Sequence, residues 1–253
     1  MIKKLLGVYR EAGAGGLLWR LFSYFYKNFV RAILPNGGQI LYAGVPVGHR
    51  KVGDQLLLKL YNSPDVSDAP GYEQALVTAL KTHVVSGDEV VVVGGGLGVT
   101  CVVAALAAAE TGHVKCFEGD LHGVDAVRRV ARLNGVSERI TAHYAVVGEA
   151  IGVYGNAVAT TTMRPSQLPS CDILELDCEG SEIGILRDMT IQPRAIAVET
   201  HGFLGAPTAT VRDLLEKRGY RVQDLGWAEP RVMSECVKND IKVLVGTLEP
   251  HPV

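Results

Sequence analysis

The chain has 253 residues and a mass of 27.1 kDa, and 47% of its residues are hydrophobic while 21% are charged. A chain of this mass buries roughly 70% of the surface that its unfolded form exposes, which allows one substantial hydrophobic core. The apolar fraction excludes disorder as the main state, and the net charge of −2 argues against a nucleic-acid partner held by bulk electrostatics.

The cysteines and the apolar runs bear on the compartment. Five cysteines are scattered without a CxxC pair, which predicts reduced thiols and no disulfide or zinc framework. No apolar run approaches the roughly 20 residues needed to cross a bilayer. Arg10 and Glu11 cut the N-terminal apolar stretch too short for a signal peptide. We therefore expect a cytoplasmic protein.

Residues 1–34 differ in composition from the rest of the chain. They hold six basic residues against one acid, and seven of the sixteen aromatic residues. At 100° per residue one stripe of a helix collects Leu18, Phe22, Phe25, Phe29 and Ile33, and the opposite stripe collects Arg20, Lys27 and Arg31. This pattern predicts an amphipathic helix that Pro35 ends. We expect residues 5–33 to pack on the rest of the chain, to form a homodimer, or to contact the inner membrane face peripherally.

The middle of the chain changes character near residue 70. Short strands are predicted over 39–43 and 55–61, between glycine and proline turns, and a helix is predicted over 72–83. We expect an N-terminal extension over 1–70 and an α/β domain over 71–253.

From residue 84 onward, strand-like and helix-like stretches alternate. Strands are predicted over 89–93, 113–117, 140–147, 171–176, 195–199, 220–224 and 241–246, and helices over 99–110, 122–134, 181–188 and 208–218. This alternation predicts a parallel sheet with helices on both faces. The last two strands have no clear helix between them, so we expect them to form an antiparallel pair.

A glycine-rich loop follows the first strand of this region. Glycines at a strand-to-helix turn let a ligand approach the backbone and the helix N-terminus. The next strand ends in Glu118, 20 residues after the last loop glycine, where an acid can accept hydrogen bonds from ribose hydroxyls. The predicted cofactor-binding residues are therefore Gly94, Gly95, Gly96, Gly98, Glu118 and Gly119.

The loop also bears on which nucleotide cofactor binds. The dinucleotide fingerprint has a small residue at the position of Val99, whereas this loop reads GxGxG, which favours S-adenosylmethionine. An NAD(P)- or nucleotide-sugar-binding oxidoreductase is the alternative, although the chain has no Tyr-x-x-x-Lys pair. A non-catalytic protein that keeps the fold is a third interpretation.

Later motifs resemble those of a known family. Residues 172–182 are similar to the K-x-D-x-E-G-x-E signature of the FkbM-type S-adenosylmethionine-dependent methyltransferases, with Asp177 and Glu179 at its centre. Glu199 and His201 match the family's E-x-H, residues 214–220 resemble its L-x-x-x-G-Y, and Asn134 matches the asparagine after the ribose acid. The likeness covers about residues 72–246.

The resemblance implies a fold and an activity. The fold is the Rossmann-like class I methyltransferase fold, with a seven-stranded, mostly parallel sheet whose last strand is antiparallel. The activity is methyl transfer from S-adenosylmethionine to a hydroxyl of a sugar, lipid or small metabolite. The chain departs from the family at Val92, where an acid commonly helps to hold the methionine end of the cofactor, and at Glu175, where a lysine is frequent.

Four polar residues follow two neighbouring strands and are the catalytic candidates: Asp177, Glu179, Glu199 and His201. Because adjacent parallel strands lie about 4.8 Å apart, their side chains should converge beside the methyl group. Such a cluster is costly unless it shares a proton, a cation or a substrate. His201 is open to three roles, as general base, metal ligand or structural group. The spacing permits a divalent cation without requiring one, and no metal ligand is assigned. Two further roles stay open, Glu179 as a helix cap and Glu73 as a cofactor contact.

Overall fold

The computed structural model describes residues 13–16, 18, 19, 21, 22, 24–52, 54, 68–149, 151 and 161–249. The chain divides into two units, one formed by Met1–Ile40 with His49–Ser67 and the other by Leu41–Gly48 with Asp68–Val253. The division into an extension over 1–70 and a domain over 71–253 stays a prediction. The strand predicted over 55–61 lies outside the described residues.

The described part of the smaller unit is helical before Pro35. The described residues of 13–25 are helical, a π-helical turn covers Tyr26–Val30, and a 3-10 turn covers Arg31–Ile33. The buried Asp54 carboxylate accepts hydrogen bonds from the Tyr26 hydroxyl at 3.0 Å and from the Arg31 guanidinium at 3.0 Å. Burial acts to raise the pKa of Asp54, but these hydrogen bonds outweigh it and lower the pKa.

The predicted apolar stripe of this segment faces solvent. Its five members are between 50% and 83% exposed: Leu18, Phe22, Phe25, Phe29 and Ile33. No helix among the described residues is long and apolar enough to cross a membrane.

Two strands form a small hairpin sheet, β1 (Asn36–Tyr42) and β2 (Val45–Lys51). The strand predicted over 39–43 corresponds to β1, and β2 was not predicted. Ala43 at the turn donates its N–H to the Ala69 carbonyl at 2.9 Å, and the Asn134 amide donates to the Pro46 carbonyl at 2.8 Å. The asparagine that matched a family motif therefore ties the hairpin tip to the rest of the larger unit.

Eight strands form the main sheet of the larger unit: β3 (Glu89–Val93), β4 (His113–Glu118), β5 (Ile140–Val147), β6 (Thr161–Met163), β7 (Ile173–Leu176), β8 (Ala195–Glu199), β9 (Arg221–Trp227) and β10 (Lys242–Thr247). Their order is β6-β5-β4-β3-β7-β8-β10-β9. Neighbours from β6 to β8 are parallel, and β10 runs antiparallel to both β8 and β9. The mostly parallel sheet with an antiparallel last strand is confirmed.

Six helices of the larger unit are described: α1 (Gln74–His83), α2 (Val99–Ala107), α3 (Leu121–Leu133), α4 (Glu182–Asp188), α5 (Thr208–Lys217) and α6 (Met233–Asn239). Alternate residues of β3 point to opposite faces of the sheet. Val92 packs in one core cluster with residues of α1, α2 and α3, while Val91 packs in another with residues of α4 and α5. Both faces of β3 are buried, which explains its uninterrupted run of valines.

Two sequence-based expectations about this sheet are wrong. The main sheet has eight strands and not seven, because β6 pairs with the edge strand β5. The strand β6 has only three residues, too few to leave an alternating pattern in the sequence. The helix α6 lies between the last two strands, where none was expected. It has seven residues and buries only Cys236, so it carries almost no apolar periodicity.

Candidate functional site

The carboxyl ends of β3, β4, β5 and β7 border a cavity of about 410 Å³. This is the edge at which open parallel sheets bind ligands, and the volume lies in the range of small-molecule sites, about 300–1,000 Å³. Predicted site residues in its lining are Gly94, Gly96, Glu118, Gly119, Asp177 and Glu179.

The loop glycines have different surroundings. A Cβ added at Gly96 would meet no atom within 4 Å, so its surface is open to the cavity. A Cβ at Gly94 would collide with the Asp177 carbonyl, and one at Gly98 would lie 2.8 Å from the Val127 Cα of α3. Gly95 and Gly98 do not line the cavity. Their assignment to the cofactor stays a prediction, and their close contacts show that the loop needs glycine for packing.

Glu118 links the end of β4 to the glycine loop. Its Oε2 accepts the Gly96 N–H at 2.9 Å, and its Oε1 accepts the Asp120 N–H at 2.8 Å. A carboxylate has about four lone-pair sites, so acceptor capacity remains for a ligand. A Cβ at Gly123 of α3 would lie 2.7 Å from the Glu118 Cδ. Gly123 therefore gives this carboxylate its space, which the spacing of motifs did not reveal.

Two further residues line the cavity, His122 and Glu73. The sequence left a cofactor contact open for Glu73 but indicated no role for His122. Burial raises the pKa of Glu73 to about 8, and the Asp177 carboxylate adds to the rise. Val92, the position at which the family usually has an acid, points away from the cavity into a hydrophobic core cluster.

The four catalytic candidates do converge, around His201. The His201 Nε2 lies 3.6 Å from Asp177 Oδ1, 3.7 Å from Glu179 Oε2 and 3.8 Å from Glu199 Oε1. Donor atoms of Asp177, Glu199 and His201 lie within 4.8 Å of one another. Asp177 and Glu179 also line the cavity, so this cluster and the cavity share one wall.

A fourth carboxylate, Glu182, holds the other side of the imidazole. Its Oε1 lies 2.8 Å from His201 Nδ1 and accepts the N–H groups of Cys178 and Gly180 at 3.2 Å each. Glu182 is fully buried at the start of α4. It is the last acid of the matched motif, and its place in that motif was the signal that could have identified it.

Glu179 stands on a constrained turn, two residues before the N-cap of α4. It has a left-handed φ of 52°, it is followed by Gly180 at φ 100°, and Ser181 is the residue at the N-cap of α4. Left-handed backbone is unfavourable for a residue with a Cβ, and such strain clusters at functional sites. The turn aims the Glu179 carboxylate at the cavity.

Burial and mutual repulsion shift the pKa values of this cluster. Burial raises the pKa of Asp177 to about 6, opposed by His201 and assisted by Glu179. Burial also raises the pKa of Glu199, and Asp177 adds to it. Burial acts to lower the pKa of His201, but the Glu182 hydrogen bond and the surrounding carboxylates raise it to about 9. The carboxylates around His201 therefore favour a cation at the centre of the cluster.

The comparison with known families matches the part of the chain that carries the catalytic candidates. Residues 136–222 match the family described as the methyltransferase FkbM domain. The matched segment contains the motif with Asp177, Glu179 and Glu182, and also Glu199 and His201. The resemblance to the FkbM family is confirmed over this segment, which is shorter than the expected 72–246. The strand order and the antiparallel β10 agree with the Rossmann-like class I methyltransferase fold that this family implies.

Individual relatives are more distant. A ribosomal protein L11 methyltransferase of Bacillus pumilus (strain SAFR-032) is 29% identical over 132 residues. The alignment covers 50% of this chain and 41% of that enzyme, so the chain matches less than half of the length of this curated relative.

Three solved structures align over a larger share of this chain, but with lower sequence identity. A ribosomal protein L11 methylase of Lactobacillus delbrueckii subsp. bulgaricus aligns with a TM-score of 0.49 and 11% identity, over 72% of this chain and 80% of that one. An S-adenosylmethionine-dependent O-methyltransferase of Thermotoga maritima aligns with a TM-score of 0.45 and 16% identity, over 72% and 66%. An O-methyltransferase of Streptomyces achromogenes, solved in complex with S-adenosylmethionine, aligns with a TM-score of 0.44 and 13% identity, over 76% and 86%.

Proposed function

We propose that the protein transfers a methyl group from S-adenosylmethionine to a hydroxyl oxygen of a sugar, lipid or small metabolite. One observation carries the proposal. A single cavity contacts the Gly96 loop and Glu118 at one part of its wall, and Asp177 and Glu179 of the His201 cluster at another. This arrangement suits a nucleotide cofactor whose reactive end lies beside acid–base groups.

The cavity residues suit the cofactor. Glu118 has acceptor capacity for ribose hydroxyls, and the surface of Gly96 is open for close approach. Because Val92 points into the core, we assign the cationic amino group of the methionine end to Glu73. A cation bound beside Glu73 would favour its ionised form and lower its raised pKa.

The acceptor side of the proposal concerns Asp177, Glu199 and His201. S-adenosylmethionine supplies an electrophilic methyl group bonded to a sulfonium sulfur. The acceptor hydroxyl gives up its proton at the cluster, and its oxygen forms the new C–O bond while the methyl–sulfur bond breaks and leaves its electron pair on sulfur. The protein's own contribution is to orient the two reactants and to take up the proton.

A protein acceptor is the second candidate, favoured by the similarity to an L11 methyltransferase. The two are separated by incubating the protein with S-adenosylmethionine that carries a labelled methyl group. One arm contains hydroxylated sugars, lipids and small metabolites, and the other contains ribosomal protein L11. Label in the first arm, stable to conditions that hydrolyse esters, supports O-methylation of an alcohol. Label only on L11 would replace that acceptor assignment.

The alternative to a methyltransferase is an NAD(P)- or nucleotide-sugar-binding oxidoreductase. The cofactor that the protein binds distinguishes the two classes of enzyme. We expect S-adenosylhomocysteine to raise the melting temperature and NAD to leave it unchanged, since a ligand that binds only the native state stabilises it. Stabilisation by NAD alone would support the oxidoreductase. Stabilisation by S-adenosylhomocysteine without transfer to any acceptor would support the non-catalytic interpretation.

We also propose that residues 5–33 contact a further surface, either a second copy of the chain or the inner face of the membrane. The exposed apolar residues Phe22, Phe25 and Phe29 support it. Flotation with anionic vesicles tests the membrane contact, and light scattering tests the dimer. A monomer that does not float would refute both.

A further inference from the structure

We propose that Asp177, Glu199 and His201 form a binding site for a divalent transition-metal ion such as Mn²⁺. The ion would hold the acceptor oxygen. That role rests on the proposed methyltransferase function, but the binding of the ion itself does not depend on it.

The first argument is the distance between donor atoms. Two donors that are each about 2.1 Å from an ion lie roughly 3.4 Å apart at a tetrahedral angle and 3.6 Å apart at 120°. The His201 Nε2 lies 3.6 Å from Asp177 Oδ1 and 3.8 Å from Glu199 Oε1. The donor atoms of Asp177 and Glu199 lie within 4.8 Å of each other, so these two carboxylates would have to move closer together for all three atoms to bind one ion.

The second argument is the state of His201 itself. Its side chain is only 4% exposed, and its Nε2 points at carboxylate oxygens that are all beyond hydrogen-bond distance. The Nε2 atom therefore has no hydrogen-bond partner among the described residues and faces three carboxylate groups. A cation between the imidazole and the carboxylates would satisfy it.

The third argument is the support behind the histidine. With Nδ1–H donating to Glu182 at 2.8 Å, the lone pair of Nε2 faces the cluster. A carboxylate that holds the far nitrogen of a metal-binding histidine fixes its tautomer and orientation, and this arrangement accompanies most histidine ligands. The Glu182 carboxylate is itself fixed by the Cys178 and Gly180 N–H groups.

The donor set indicates the kind of ion. One imidazole and two carboxylates suit Mn²⁺ or Zn²⁺ better than Mg²⁺ or Ca²⁺, which prefer oxygen donors alone. The Glu199 Oε2 is buried and has no partner among the described residues, so this carboxylate can also supply a second oxygen. Asp177 lines the cavity, so an ion here can reach a ligand in it. A cation would lower the pKa of a hydroxyl bound to it.

The test is calorimetric titration of the full-length protein with Mn²⁺, repeated with Zn²⁺ and Mg²⁺ and without cofactor. We expect one Mn²⁺ site per chain and weaker binding of Mg²⁺. Asp177→Asn and Glu199→Gln should each lower the affinity at least tenfold, and Glu182→Gln should lower it 10- to 100-fold, as loss of a supporting carboxylate does. Glu216→Gln, an exposed carboxylate of α5, is the matched control and should bind as the wild type does.

Circular dichroism of each variant checks that it folds, and S-adenosylhomocysteine is titrated in parallel. If the wild type binds S-adenosylhomocysteine but neither Mn²⁺ nor Zn²⁺ below about 1 mM, the metal site is refuted. A proton on His201 would then supply the positive charge among the carboxylates. Equal Mn²⁺ affinity in Asp177→Asn, Glu199→Gln and the control would also overturn it. If Mn²⁺ binds at this site and S-adenosylhomocysteine does not, the metal site stands and the proposed function fails.

Discussion

Glu175 is a carboxyl group in the middle of the sheet, and the polar side chain that comes nearest to pairing with it is that of Thr100. It lies in β7 with no exposed surface, paired in register with Val92 of β3 and Ala197 of β8. Neither of its oxygens has a hydrogen-bond partner among the described residues. Burial raises its pKa well above the usual range, which disfavours the ionised form.

Replacing this acid by an apolar side chain of similar length should stabilise the protein. A buried polar group without a partner costs about 1–3 kcal/mol in proteins. Methionine has a similar volume and a flexible chain that fits irregular gaps, so repacking strain stays small. We expect Glu175→Met to raise the free energy of unfolding by about 1–3 kcal/mol. For a domain of 150–250 residues this corresponds to a melting temperature roughly 2–12 °C higher.

The measurement is urea and thermal unfolding followed by circular dichroism, with Glu175→Gln as the matched control. The amide keeps the size and two polar groups without partners, so it should give no comparable gain. A Met variant that is less stable than the wild type would refute the reasoning, because it would mean that the acid makes an interaction worth more than its burial costs.

Three further substitutions have definite expected outcomes. Gly96→Ala should cost only about 1–2 kcal/mol of stability, for alanine in left-handed backbone, but should weaken S-adenosylhomocysteine binding because its methyl group enters the cavity. Gly98→Ala should lower the stability more, because its Cβ would lie 2.8 Å from the Val127 Cα. Thermal unfolding measures the stability of the two variants, and calorimetry measures their affinity for S-adenosylhomocysteine. Equal stability and equal affinity in Gly96→Ala and Gly98→Ala would contradict this difference between the two glycines. Tyr220→Phe should lose about 0.5–1.5 kcal/mol in urea unfolding, because the buried Tyr220 hydroxyl donates to the Pro193 carbonyl at 2.8 Å, and an unchanged stability would contradict that.

Much of the sheet could be predicted because burial on two faces leaves a strong pattern. The valines of β3 and the alternation of strands with helices predicted the parallel core, and three strands, β3, β5 and β8, begin and end where they were predicted. Elements with little buried surface left no such pattern. The three residues of β6 and the seven of α6, with Cys236 alone buried, were missed for that reason.

The same difference applies to the candidate site, where residues at strand ends could be predicted and residues on helices could not. Glu118, Asp177 and Glu199 stand at or just after strand ends, and neighbouring parallel strands bring such positions together, so their convergence follows from topology. Glu182 and Gly123 lie near the starts of helices, and their contacts depend on how each helix packs, which periodicity does not give.

The central claim is that the cavity at the carboxyl ends of the strands binds S-adenosylmethionine through Glu118. The direct test is calorimetric titration of S-adenosylhomocysteine into the wild type and into Glu118→Gln, with NAD as the competing ligand. Glutamine keeps one acceptor oxygen for the backbone but loses the charge and the second acceptor, so binding should weaken by about 1.5–3 kcal/mol, roughly 10- to 150-fold. Tight binding by the wild type, weaker binding by a folded variant and no heat with NAD is the predicted result. Equal affinity in both proteins, or binding of NAD alone, would contradict it.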